Sequence, residues 1–137
     1  MNKIYLDNNA TARIRPEVIE VITKTLGEVG NASSVHSFGR TVRRDIEKAR
    51  AQIADLVHVE SSQVIFTSGA TESNNMIVKA FADQPSLISA IEHPAVRDAN
   101  PKARHIPVTQ DGTVDLEAFE KMLEGEKPAF VSVMLVN

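Results

Sequence analysis

The sequence predicts an α/β fold, a mostly parallel sheet with flanking helices, and three observations carry that expectation. Short apolar runs at Val64–Phe66, Leu87–Ile91 and Ala129–Val136 alternate with segments of helical period. The intervening stretches are long enough for the crossovers that parallel strands require. Polar strings follow three candidate strands: Ser68-Gly69-Ala70-Thr71, Glu92-His93 and the terminal Asn137. Ligands of such sheets gather at the carboxyl ends of strands, so these strings are placed to share a site.

The 137 residues are the length of one domain, and a net charge of −3 with no basic patch argues against a nucleic-acid partner. There is no cysteine, hence no disulfide framework, thiolate metal site or thiol nucleophile within this stretch. Met1 to Asp7 lacks the apolar region of a signal peptide, and no apolar run approaches membrane-spanning length. The default expectation is a cytoplasmic protein with no membrane contact.

Taken in order, Ile4–Leu6 is a brief apolar run that stops at the turn-rich string Asp7-Asn8-Asn9-Ala10-Thr11. Pro16 opens a helix with Val18, Ile19, Ile22 and Leu26 on one face and Gly27 at its end. Gly30 to Gly39 is a loop rich in groups that hydrogen-bond locally. From Arg40 a second helix places Val42, Ile46, Ala49, Ile53 and Val57 along one stripe, its charges forming a solvated face. Val64–Phe66 is expected as the central strand, and the helix after it carries Met76, Ile77, Ala80 and Phe81. Leu87–Ile91 forms the next strand, cut off by Glu92-His93-Pro94, with a short helix following at Ala95 to Asn100. A strand at His105–Val108 and a turn at Gln110-Asp111-Gly112 lead to a helix capped by Asp115. That helix turns Leu116, Phe119, Met122 and Leu123 inward and ends at Gly125; Ala129–Val136 follows as a fully buried strand.

The string from Val64 to Asn75 reads as strand, tight turn and helix start. The first amides of a helix point outward at its positive dipole end, so an anion there is bound by backbone groups. Gly69 and Ala70 admit a bulky phosphate close to the main chain, while Thr67, Ser68 and Thr71 add hydroxyl donors. By itself the string reads more readily as a plain helix cap. It matches neither the Walker nor the dinucleotide glycine pattern. His58 and His105 have no partner at metal-ligand spacing and are surface or packing residues, so no metal site is expected.

Five motifs then occur together and in order: Tyr5-Leu6-Asp7-Asn8-Asn9-Ala10-Thr11; Gly30-Asn31-x-Ser33-Ser34-x-His36-x-x-Gly39; Phe66 to Asn75; Glu92-His93-Pro94-Ala95-Val96; and Val131 to Asn137. Over essentially its whole length the chain resembles the N-terminal portion of the cysteine desulfurases of the nitrogen-fixation and iron-sulfur-cluster type. These are class V aminotransferase-like enzymes that use pyridoxal 5′-phosphate. The resemblance implies part of the large domain of an aspartate-aminotransferase-like fold, with residues 1–39 as an N-terminal segment, helix and loop, and residues 40–137 as the first part of the cofactor-binding domain.

It further implies that Ala70 and Thr71 bind the cofactor phosphate, and that His93 stacks on the pyridine ring and serves proton transfer, a role suited to imidazole. Asn8, Ala10 and Thr11 would line the substrate entrance. His36 lies in a loop that approaches the partner's site in such dimers, although a structural role is favoured for it. The family usually has Thr-Thr where this chain has Thr11-Ala12, so one hydroxyl is missing. Asn137 matches the first of an asparagine pair whose second member contacts the cofactor, which leaves it a secondary candidate.

By the same resemblance, the Schiff-base lysine, the aspartate on the pyridine nitrogen, the substrate-carboxylate arginine and the sulfur-accepting cysteine belong beyond Asn137. Lys79 and Lys102 do not match that lysine and are expected to face solvent. The activity implied is conversion of L-cysteine to L-alanine with transfer of sulfur, in a homodimer that serves an iron-sulfur scaffold or thiolation partner. This stretch alone is expected to be inactive. Two alternatives stay open: a non-catalytic or split-subunit remnant acting through a partner chain, and another class V enzyme such as a selenocysteine lyase or an aminotransferase.

Overall fold

The computed structural model describes residues 4–136, which fall into two compact units divided after Phe66. In the first unit, helix α1 spans Pro16–Leu26 as the sequence predicts. Proline suits its first turn because its φ is preset and its missing N–H would have no partner there. Glu17 near the start and Lys24 near the end complement the helix dipole. The stripe of Val18, Ile19, Ile22 and Leu26 is exposed.

Helix α2 spans Ser37–Val57 and starts ahead of the expected Arg40. The reason is a cap: His36 Nδ1 accepts the Gly39 N–H at 3.4 Å, so the helix can begin inside what reads as loop. Gly39 is buried against the Asn31–Ser34 turn, where a Cβ would meet the carbonyl oxygens of Ser34 and Asn31, the latter at 2.6 Å. Only glycine fits there. His58 ends the helix in the left-handed conformation, φ 57°.

The strand expected at Val64–Phe66 does not form. Residue Arg50 of α2 donates to the Val64 carbonyl, and its guanidinium lies 5.0 Å from the Phe66 ring centroid. A carbonyl engaged by a side chain is withdrawn from a ladder, and Ile65 is 71% exposed. Ser61–Gln63, a single 3₁₀ turn closed by Glu60 and Gln63, packs this segment onto α2.

The second unit holds helix α3 (Ala70–Ala80), strand β1 (Ser86–Ser89), helix α4 (Pro94–Arg97), strand β2 (Arg104–Ile106), helix α5 (Leu116–Leu123) and strand β3 (Phe130–Ser132). The strands form a parallel sheet in the order β2-β1-β3, with Ile88 opposite His105 on one side and Ser132 on the other. All of β1 is buried, as a central parallel strand covered on both faces must be. Ile88 packs with Val78 of α3, Val96 of α4 and Ala103, and Ala99 and Phe130 border this cluster. Helix α3 therefore turns Val78 to the core, whereas Met76 and Ile77 are exposed.

Strand ends differ from expectation for local reasons. Pro107 has no N–H to give the ladder, so β2 stops at Ile106, and Val108 instead bridges Val114 across a turn at Gly112, φ 82°. Asp115 caps α5 as predicted, its Oδ1 accepting the Ala118 N–H at 3.0 Å. The helix ends at Leu123 with Glu124 as its C-cap and Gly125 just beyond, and Leu116 and Leu123 remain exposed while Phe119 and Met122 are half-buried. Strand β3 has three half-buried or exposed residues rather than eight buried ones, and Leu135 is 96% exposed. Among the described residues it pairs only with the four-residue β1, and a ladder cannot outrun its partner.

Candidate cofactor site

The cradle is built by the chain's entry into α3. Gly69 precedes the helix in an extended conformation; among the described residues no side chain caps it, and a Cβ placed on it would meet no atom within 4 Å beyond its chain neighbours. Thr67 Oγ1 donates to the Gly69 carbonyl at 3.2 Å and lies 2.8 Å from Ser73 Oγ, which closes the turn. Both donors of Ser68 are engaged: its N–H and its hydroxyl reach Glu72 Oε2 at 2.7 and 2.6 Å. The Ser68 hydroxyl, then its N–H, hold the Glu72 carboxyl below the usual carboxylate range. That leaves the helix-start amides of Ala70 and Thr71, with the Thr71 hydroxyl, exposed beside open space. Chemically this is an anion receptor.

His93 stands just past the carboxyl end of β1, at the N-cap of α4. Its Nδ1 accepts the Ala95 N–H at 3.1 Å, so in the neutral ring the proton resides on Nε2. The preceding Glu92 is buried, and its Oε1 accepts a 2.9 Å hydrogen bond from Ser132 Oγ at the end of β3. One side chain joins the two helices: Asn75 Nδ2 donates to the carbonyls of Thr71 at 3.0 Å and Ala95 at 3.2 Å. The cradle and His93 thus belong to one hydrogen-bonded construction within the second unit.

The other candidates belong to other elements of the chain. Asn8, Ala10 and Thr11 occupy an exposed turn of the first unit, where the Thr11 N–H reaches the Asp7 carbonyl at 3.4 Å. His36 serves as the α2 cap, with its ring edge-on to Phe38. Asn137 lies outside the described residues. Lys79 and Lys102 are exposed, the latter paired with Asp83 at 3.0 Å. Sequence reasoning missed Glu72, Asn75 and the Glu92–Ser132 pair. Only Glu72 carries a local signal, an acidic residue at the third helical position.

The family model for aminotransferase class-V matches residues 4–137. The chain belongs to the class V aminotransferase family. Cysteine desulfurase 2 of Trichormus variabilis is 38% identical over all of this chain and 37% of its own length. Cysteine desulfurase IscS of Dictyoglomus turgidum is likewise 38% identical, over 98% of this chain and 38% of its own. Among solved structures, a NifS-like protein of Rickettsia africae superposes with a TM-score of 0.87 at 39% identity, over 99% of this chain and 40% of that one. This class V aminotransferase chain therefore spans about two-fifths of the length of these relatives. Its parallel sheet and flanking helices match the NifS-like fold.

Proposed function

We propose that this chain supplies the cofactor anchor of a pyridoxal 5′-phosphate-dependent cysteine desulfurase. The observation that carries the reading is the start of α3: exposed, uncapped amides at Ala70 and Thr71 beside the space above Gly69, in a chain of the class V family. A phosphate monoester fits this donor set, because each oxygen accepts hydrogen bonds and the dianion faces the positive end of an eleven-residue helix. Pyridoxal phosphate, when bound, supplies the electron sink for carbon–sulfur cleavage.

In this reading residues 40–137 are the first part of the cofactor-binding domain. Ala70 and Thr71 hold the phosphate through main-chain N–H groups and the Thr71 hydroxyl. His93 faces the ring and moves a proton at Nε2, since Nδ1 is engaged by Ala95. Asn8, Ala10 and Thr11 are assigned to the substrate approach by the resemblance alone, whereas His36 keeps its place as the α2 cap. The substrate is L-cysteine, and the protein works as a cytoplasmic homodimer passing sulfur to an iron-sulfur scaffold.

The test compares binding of pyridoxal 5′-phosphate with that of pyridoxal, by absorbance and fluorescence titration. The phosphorylated form is expected to bind at least about tenfold more tightly, the worth of one good charge-assisted contact. Ala70→Asp, which places a like charge at the helix start, is expected to abolish that preference. Equal affinity for the two aldehydes in the unaltered protein would overturn the reading.

A further inference from the structure

Helix α4 has four residues, too few to sustain itself, and yet it presents His93. Two hydrogen bonds from outside the helical backbone hold it. At its start, the Ala95 N–H donates to His93 Nδ1; on its other side, the Ala95 carbonyl accepts from Asn75 Nδ2. Ala95 is itself buried, so its peptide groups need protein partners. The second N–H of the same amide goes to the Thr71 carbonyl. A primary amide has two such hydrogens, and both are spent on bridging the two candidate binding elements.

The geometry points to Asn75 as a positioning residue that fixes the His93 ring, in tautomer and orientation, relative to the phosphate cradle. Both of its hydrogen bonds go to main-chain carbonyls. It holds Ala95, and Ala95 holds the imidazole. The inference rests on the cofactor reading above for what the spacing serves, although the tautomer of His93 is measurable without any cofactor.

Two substitutions separate the contributions. Asn75→Leu keeps the shape and removes both donors; Asn75→Asp keeps the shape and turns a carboxylate toward two carbonyl oxygens. In the full chain at alkaline pH, nitrogen NMR of His93 is expected to show a bare Nδ1 and a protonated Nε2. Either substitution is expected to produce a mixture of the two tautomers. In parallel, the affinity for inorganic phosphate is expected to stay within about twofold, while that for pyridoxal 5′-phosphate falls about tenfold. An unchanged His93 tautomer in both variants would overturn the assignment, and so would an equal loss of phosphate and pyridoxal phosphate binding, which marks general loosening. If the unaltered protein binds neither probe, the cofactor reading fails and the tautomer still decides the role of Asn75. Should Asn75→Asp fail to fold, Asn75→Leu, at a half-buried position, carries the test.

Discussion

Glu72 folds back on Ser68 and takes both of its donors on a single carboxylate oxygen, at 2.7 and 2.6 Å. The turn before α3 is thereby closed by a charge that sits beside the amides proposed to receive phosphate.

The first prediction concerns acid stability. The Glu72 carboxyl is lowered chiefly by the Ser68 hydroxyl, then by the Ser68 N–H. A carboxyl depressed in the folded state contributes stability that is fully present above its unfolded value, about 4.3, and is lost as pH falls through the folded value. The Tm difference between the unaltered protein and Glu72→Gln is expected to be constant above about pH 6 and to shrink as pH drops below about 4. Asp111 is lowered too, chiefly by the Thr109 hydroxyl, so it titrates in both proteins and cancels in the difference. Parallel Tm curves across the acid range would remove Glu72 from the account.

Two glycines are expected to respond oppositely to alanine. Gly39→Ala drives a Cβ into the backbone of Asn31 and Ser34, and a loss of about 1–3 kcal/mol in urea denaturation is expected. Gly69→Ala meets open space on an extended backbone and is expected to change stability by less than about 0.5 kcal/mol. Its effect is expected in ligand titration instead, as weaker binding of pyridoxal 5′-phosphate. If Gly69→Ala unfolds the protein while Gly39→Ala does not, the local geometry is misread.

Ser132→Ala is expected to remove about 1–3 kcal/mol, because the buried Glu92 Oε1 then loses its hydroxyl donor. Ser132→Thr retains the hydroxyl and is expected to recover part of that loss. Chemical denaturation of the two variants checks this, and an alanine variant as stable as the parent would mean that water serves Glu92 as well as Ser132 does.

What the sequence made legible is what short stretches of chain decide. Helix α1 was readable from Pro16 and an apolar stripe, α5 from Asp115, and the cradle from consecutive residues, each within a turn or two of its partner. Strands are less legible: among the described residues Val64–Phe66 has no strand partner, and Ala129–Val136 is paired only over Phe130–Ser132. Arg50, fourteen residues before Val64, settled the first case, and the shortness of β1 settled the second. The Asn75–Ala95 bond spans twenty residues and has no signature in either segment. His36 was ambiguous for a different reason: a histidine in a serine-rich loop looks alike whether it faces a ligand or caps a helix.

The strand order β2-β1-β3 also dictates a sequence of events during synthesis. Leu87 and Ile88 emerge from the ribosome early, yet their second ladder partner, Val131 to Ser132, is made only after β2 and α5. Until then the most buried strand of the sheet has one flank of backbone groups unpaired, the state in which nascent chains recruit chaperones or pair with the wrong edge. Fast local helices and a late-arriving third strand make sheet closure the slow, non-local step of this unit's folding.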